Sequence, residues 1–355
     1  MKALIVSHKF HPGHISHLVA NYKLLDDVCI EVSFLWDSRF NMFISDEMDV
    51  NISTRGGLLL LKKNDLFVVW FPSLGALFDM VLLRIIQKGK IVYIFHEPFD
   101  SVRSYLQSGF GFGKTIKIVM ASFVNFFLVK CSHSIILPSN KAYETFKQKY
   151  RFNGAFVRLP LMFDDESKEV LEIENRCYIS YIGTIAEDHA FDDYIKFVVY
   201  CLESNLFPNF TFLIATRSTL DLCTIKLLSA FKADKRLIIV SGEPMSTQAI
   251  NDYFSKSVVV WNAYRRSMQS GVLPKAYMFG TPVIVRESNP SEYFIDGENG
   301  VEVSENCSSI DICSAIDEIV ENYSHYSICC KEKFINCFYY KSQSNEFLSF
   351  IVDGQ

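Results

Sequence analysis

Residues 258–285 read VVVWNAYRRSMQSGVLPKAYMFGTPVIV, and their order decides the fold. Val258–Trp261 is a short unbroken apolar run, the pattern of a strand buried on both faces. A cationic loop follows, and Ser270–Gly271 opens a stretch with helical spacing. Gly280 ends that helix, and Pro282–Val285 is a second apolar run. Strand, loop, helix and strand in this order make a βαβ unit, which sets the two strands parallel.

The rhythm extends in both directions. Tyr178–Ile182, Phe210–Ala215 and Leu237–Ser241 read as earlier strands of the same sheet. Upstream, Ala3–Ser7, Cys29–Leu35, Leu66–Phe71, Ile91–Phe95 and Ser134–Leu137 read as strands of another. Ile15–Leu25, Leu74–Gln87, Lys114–Lys130 and a segment from about Asn140 read as its helices. Between the two sets, Leu159–Asn175 (LPLMFDDESKEVLEIEN) breaks the pattern with Pro160 and an acidic run, as a linker does. The class is α/β, with two Rossmann-like doubly wound domains expected to face a central cleft. Residues 1–160 form the first, 161–175 the linker and 176–330 the second; 331–355 form a helical tail expected to pack back on the first.

Composition bounds the function. Of 355 residues 49% are hydrophobic and 21% charged, which is globular. The formal charge of −5 argues against a strongly basic nucleic-acid binder, so no nucleic-acid partner is expected. The 31 Phe and a mean hydropathy of +0.15 are apolar for a soluble chain. They call for a large core or a membrane-facing surface. The opening MKALIVSHKFHPGHISH has no secretory pattern, and Ile118–Val129 is shorter than the ~18 apolar residues of a spanning helix. The ten cysteines include no CxxC pair, as suits reduced thiols. A cytoplasmic station is expected.

Open parallel sheets bind ligands beyond the carboxyl ends of their strands, so residues just after strands are the candidates. Gly13 and His14 follow the first strand, where glycine lets a backbone approach a ligand. His8, His11, His14 and His17 recur every third residue. With no Cys or acid in support they read as loop residues, and no metal is expected. His96–Glu97–Pro98 follows Ile91–Phe95 directly and is placed for proton handling or sugar-hydroxyl contacts, so His96 and Glu97 are the catalytic candidates. Gly183–Thr184 ends the first strand of the second half, as Gly13 does in the first. In the opening segment Gln269, Ser270 and Gly271 lead into a helix whose N-terminal amides favour a diphosphate. Arg265, Arg266 and Lys275 could neutralise it. Lys114–Lys130 carries a long apolar stripe with Lys114, Lys117 and Lys130, after a GFGFG loop holding Phe110 and Phe112. The plainer reading is a helix buried on the sheet; the other is a surface that docks on anionic lipid.

Together these positions resemble a GT-B glycosyltransferase, most like family 4 of bacterial surface-polysaccharide and O-antigen synthesis. The patches are the first loop at Gly13, His96–Pro98, SHSIILPS (Ser132–Ser139), Tyr181–Thr184, and SGVLPKAYMFGTPVIV followed by YFIDGENG (Tyr293–Gly300). The resemblance implies transfer of a sugar from a nucleotide diphosphate sugar to a hydroxyl acceptor. It also implies retention at the anomeric carbon, a lipid-linked saccharide acceptor at the inner leaflet, and no cofactor besides the donor. The sequence departs from the family where an Arg and a Lys would hold the diphosphate; Thr184 and His189 stand there. Ser267 and Lys275 stand where two glutamates are usual, which puts the ribose contact of the second in question. Arg265, Arg266 and Lys275 are expected to supply the missing cations. A nucleotide-sugar epimerase of the same architecture, a non-catalytic nucleotide- or sugar-binding module and a peripheral membrane scaffold are the competing readings.

Overall fold

Lys2–Ser7 forms strand β1 because ALIVS is apolar without interruption and is buried on both faces of a parallel sheet. The computed structural model describes residues 1–10, 12–43, 51–54, 57–267 and 270–353. Helix α1 is Ile15–Asp26, followed by β2 (Glu31–Trp36), β3 (Asn51–Ser53), α2 (Leu58–Lys63), β4 (Leu66–Trp70), α3 (Leu74–Ile85) and β5 (Lys90–Ile94). Then come α4 (Val102–Gln107), α5 (Phe112–Cys131), β6 (Ser134–Leu137), α6 (Asn140–Lys149) and β7 (Ala155–Arg158). All neighbours pair in parallel, in the order β3-β2-β1-β4-β5-β6-β7. Serine side chains start three of the helices: Ser73, Ser101 and Ser139 each accept from a backbone N–H three residues on.

The second sheet is built the same way. Its elements are β8 (Tyr178–Ile182), α7 (Phe191–Glu203), β9 (Thr211–Ala215), α8 (Leu222–Ser229), β10 (Leu237–Val240), α9 (Thr247–Ser255) and β11 (Ser257–Trp261). They continue with α10 (Val272–Met278), β12 (Val283–Arg286), β13 (Gly300–Val303), α11 (Ser309–Glu321) and α12 (Tyr323–Cys337). The strand order is β10-β9-β8-β11-β12-β13, again all parallel. In each sheet the order reverses beside its first strand, at β1/β4 and at β8/β11. These are the switch points where an open α/β sheet leaves a crevice at its carboxyl edge.

The chain divides into two compact units, Met1–Asp164 with Phe338–Gln355, and Asp165–Cys337. It passes from one to the other at Asp164–Asp165, inside the stretch read as linker. It returns at Cys337–Phe338, later than the tail was expected to begin. Helix α12 stays with the second unit, where Cys330 and Phe334 are buried and it packs on α10. The last helix, α13 (Tyr340–Asp353), packs on α1, and Lys90 Nζ donates to the carbonyls of Phe350 and Ile351 at 3.2 and 2.6 Å.

The elements missed by pattern share a cause. Strands β3, β7 and β13 lie at sheet edges, are only three or four residues long, and alternate or stay partly exposed instead of forming unbroken apolar runs. Helices α2 and α4 are six residues each, too short for periodicity to register.

Candidate functional site

In the first unit the carboxyl ends of β1, β4 and β5 bring three rings into one stack. Phe71 lies between His14, at a centroid distance of 3.7 Å and 15°, and His96, at 4.3 Å and 14°. Phe71 has φ +60, uncommon and strained for a bulky aromatic, and sits directly after β4 at the switch point. Trp70 packs against His96 at 5.0 Å and a tilt of 41°, and lies 5.8 Å from Phe71. The stack fixes both imidazole planes. Glu97 beside His96 is exposed, as is Gly13, in the 3-10 turn Pro12–His14 that leads into α1.

The recurring histidines diverge. His8 Nε2 pairs with buried Asp79 Oδ2 at 2.7 Å, and His17 is buried with Nδ1 at 3.0 Å from the Met162 carbonyl. That carbonyl only accepts, so His17 Nδ1 carries the proton. His11 lies outside the described residues. Among the described residues no group of three or more His, Cys, Asp and Glu side chains is placed to hold a metal ion.

In the second unit the strand-end glycine and the opening segment come together. Gly183 has φ +139, and a Cβ built on it would lie 3.4 Å from Val272 Cγ2 and 3.9 Å from the Tyr264 hydroxyl. The Ser270 side chain bonds the Tyr264 phenol and accepts from the Val272 N–H at 3.1 Å. Burial, chiefly, holds that phenol well above its ordinary range, so Tyr264 stays a neutral donor. His189 lies flat on Tyr264, 4.2 Å away and 8° from parallel. Its Nδ1 donates to the Thr184 carbonyl at 2.6 Å, and the Tyr181 hydroxyl donates to the same carbonyl at 2.8 Å. Gly183, Thr184, His189, Tyr264 and Ser270 thus form one wall at the carboxyl edge. Gly271 caps the seven-residue α10 without a side-chain bond. Gln269 lies outside the described residues.

The three expected cations have other duties. Arg265 Nη2 lies 2.8 Å from both Asp192 oxygens and from Asp193 Oδ2. Burial works against its charge, yet these carboxylates hold its pKa above the ordinary value. Arg286 joins the group through Asp193 at 2.9 Å. Lys275 Nζ pairs with Glu166 Oε2 at 2.8 Å, and both Lys275 and Arg266 are buried. The expectation that this trio presents its charges to a ligand is corrected for Arg265 and Lys275, whose charges are met by acids of the same unit. The YFIDGENG turn is also structural. Its Asn299 is fully buried, and Asn299 Oδ1 accepts from the Tyr277 hydroxyl of α10 at 2.8 Å and from the Ile295 N–H at 2.9 Å.

Besides Tyr264, three residues escaped the pattern reading. Phe71 and Arg217 follow β4 and β9, and Ser218 Oγ accepts from the Ile185 N–H at 3.0 Å, tying the β9 loop to the Gly183 turn. Arg217 is half-buried, and desolvation pulls its pKa below the ordinary value. Reading the residues after every parallel strand, and not only those with glycine or histidine, finds all three.

The fold is that of the GT-B glycosyltransferase structures. HepE of Anabaena, solved in complex with UDP and glucose, superposes with a TM-score of 0.73 at 13% identity, over 99% of this chain and 100% of that one. Sucrose-phosphate synthase of Thermosynechococcus elongatus gives 0.69 at 11% identity, over 99% and 98%. A glycosyltransferase of Rickettsia africae gives 0.70 at 11%, with the same coverage. No family model matches the sequence, and no curated protein matches it.

Proposed function

We propose that this chain is a glycosyltransferase that moves a sugar from a nucleotide diphosphate sugar to a hydroxyl acceptor. One observation carries the reading: a glycine turn, a stacked His–Tyr pair and a serine converge at the second switch point, in a fold that binds UDP and glucose in HepE. The second unit takes the nucleotide, with UDP the first candidate. The Gly183–Thr184 turn admits the diphosphate to close backbone approach. Arg217 is the cation and His189 the imidazole assigned to it, in place of Arg265 and Lys275. Charge builds on the diphosphate as the glycosidic bond breaks, and preoriented cations and amides at this edge lower that barrier. His96, held in plane by Phe71, is assigned the sugar and acceptor hydroxyls, with Glu97 beside it and Gly13–His14 lining the same edge. No resident cofactor or metal is invoked.

The finer parts of the proposal rest on the resemblance to family 4: retention of configuration, a lipid-linked saccharide acceptor, a role in surface-polysaccharide synthesis, and a station at the inner face of the cytoplasmic membrane. The exposed apolar helices of the first unit support the membrane part.

A thermal-shift screen of nucleoside diphosphates and their sugars tests the donor. Stabilisation by one of them is expected, and His189→Lys, which restores a permanent cation, should tighten binding several-fold. A flat response to all of them overturns the proposal. Turnover of the donor then separates a transferase, which needs an acceptor, from an epimerase, which does not.

A further inference from the structure

We infer that α3 and α5 of the first unit, flanked by α2 and α4, form a surface that docks on an anionic lipid bilayer. This deepens the membrane part of the proposed function and commits it to particular residues. The reading of α5 as a buried sheet-covering helix is corrected: only 22% of its most apolar window is buried. Thr115, Asn125, Leu128 and Val129 face inward, and Asn125 accepts from the Tyr93 hydroxyl of β5 at 3.0 Å. One stripe of the helix is therefore committed to the unit, and the helix lies on the fold.

The outward stripe is apolar. Phe112, Met120 and Phe123 on α5 are 64–70% exposed, and α3, which packs beside α5, exposes Leu74, Phe78 and Ile85 by 69–74%. The spacing in each helix keeps these side chains on one face. α4 adds Val102 and Leu106 on one side of α5, and α2 adds Leu59 beside α3. Apolar surface this continuous is not left to water without a partner.

The charges choose the partner. The four helices carry Lys62, Lys63, Arg84, Arg103, Lys114, Lys117 and Lys130, all exposed, and one acid, Asp79, which is buried against His8. This all-cationic rim belongs to a chain whose net charge is −5. Lys130 lies over the exposed Phe126 ring at 5.7 Å, so an apolar body and a charged head sit together as they do at a lipid interface. A second copy of the chain fits poorly, because a twofold interface would set these cations against themselves. Phosphate headgroups around buried acyl chains complement both parts.

Co-sedimentation of the full chain with phosphatidylcholine vesicles, with and without about one-third phosphatidylglycerol, tests this. Binding to the anionic vesicles, weak binding to the neutral ones and loss at high salt are expected. F78S/F123S and K114E/K117E should each lower partitioning by about tenfold or more, while leaving the melting temperature and any nucleotide-induced shift unchanged. If the phenylalanine variant unfolds, K114E/K117E decides alone. Failure to bind, or equal binding to both vesicle types, overturns the inference. So does concentration-dependent self-association that F78S/F123S abolishes, which would assign the face to a second copy. Vesicle binding needs no nucleotide, so this inference and the donor reading fail separately.

Discussion

Arg265 is the residue on which sequence and structure disagree most sharply, and Arg265→Gln resolves the disagreement. The guanidinium makes three bonds of 2.8 Å to Asp192 and Asp193 and a fourth, at 3.2 Å, to the Glu187 carbonyl. Bonds to charged groups are each worth up to about 3 kcal/mol when buried, and exposed pairs about 1 kcal/mol or less. Asp192 is 56% exposed, so its share is screened. Asp193 keeps Lys196 and Arg286 after the substitution and is not orphaned. The net loss is therefore about 1–2 kcal/mol, or roughly 2–8 °C of melting temperature for a unit of this size. The assay is a melt with and without UDP, joined to calorimetric UDP binding. The expected result is the lower melting temperature with nucleotide affinity changed less than about threefold, under 1 kcal/mol. An unchanged melt with affinity reduced tenfold or more refutes the reasoning and returns Arg265 to the diphosphate.

Other perturbations read the same unit and its partner. Arg176 is buried, with its guanidinium 2.6–2.9 Å from the carbonyls of Leu171, Ser257 and Phe279 and from the Thr281 hydroxyl; Arg176→Met strands those acceptors and should cost about 3 kcal/mol or more in denaturant unfolding. Ala190 is fully buried at φ +51, so Ala190→Val, β-branched in a left-handed conformation, should lower the melting temperature steeply, while Ala190→Gly leaves it within a few degrees. His133 Nδ1 accepts from the Ile91 N–H at 3.0 Å, and burial, then the charges of Arg84 and Lys90, pull its pKa below the ordinary value. The folded state thus favours neutral His133, and its contribution is present above about pH 6.5 and lost as pH falls through the depressed value. Denaturant midpoints measured down that range should decline, and His133→Asn should flatten the decline.

Much of the fold is legible in local pattern, because a strand buried on both faces must be apolar throughout and its crossover helix must be periodic. ALIVS, LFVVW and VVVW meet the first condition, and capping serines mark several of the helix starts. The edge strands β3, β7 and β13 escape the first condition, being short and alternating or partly exposed, while β10, also at an edge, is LIIV and is read as a strand. The candidate site was legible only as positions. His96, Gly183 and Ser270 were found because they follow strands or open a helix, and strand ends are where a parallel sheet binds. Their neighbours were not found, because Phe71 meets His14 and His96 only through the β1-β4-β5 order. Tyr264 likewise meets His189 and Gly183 across the β8/β11 switch.

The amino-acid sequence by itself determined the two parallel sheets and a break between them within residues 161–175, since these follow from hydrophobic period and turn chemistry. Tertiary structure alone decided what each charge and ring is for. Arg265 reads as a free cation until α7 places Asp192 and Asp193 against it. The stripe on α5 reads first as core and only second as a lipid-facing surface, because burial and lipid select the same residues. Only the packing of α3, α4 and β5 around α5 says which face stays outside, and that is where the excess of phenylalanine ends up exposed.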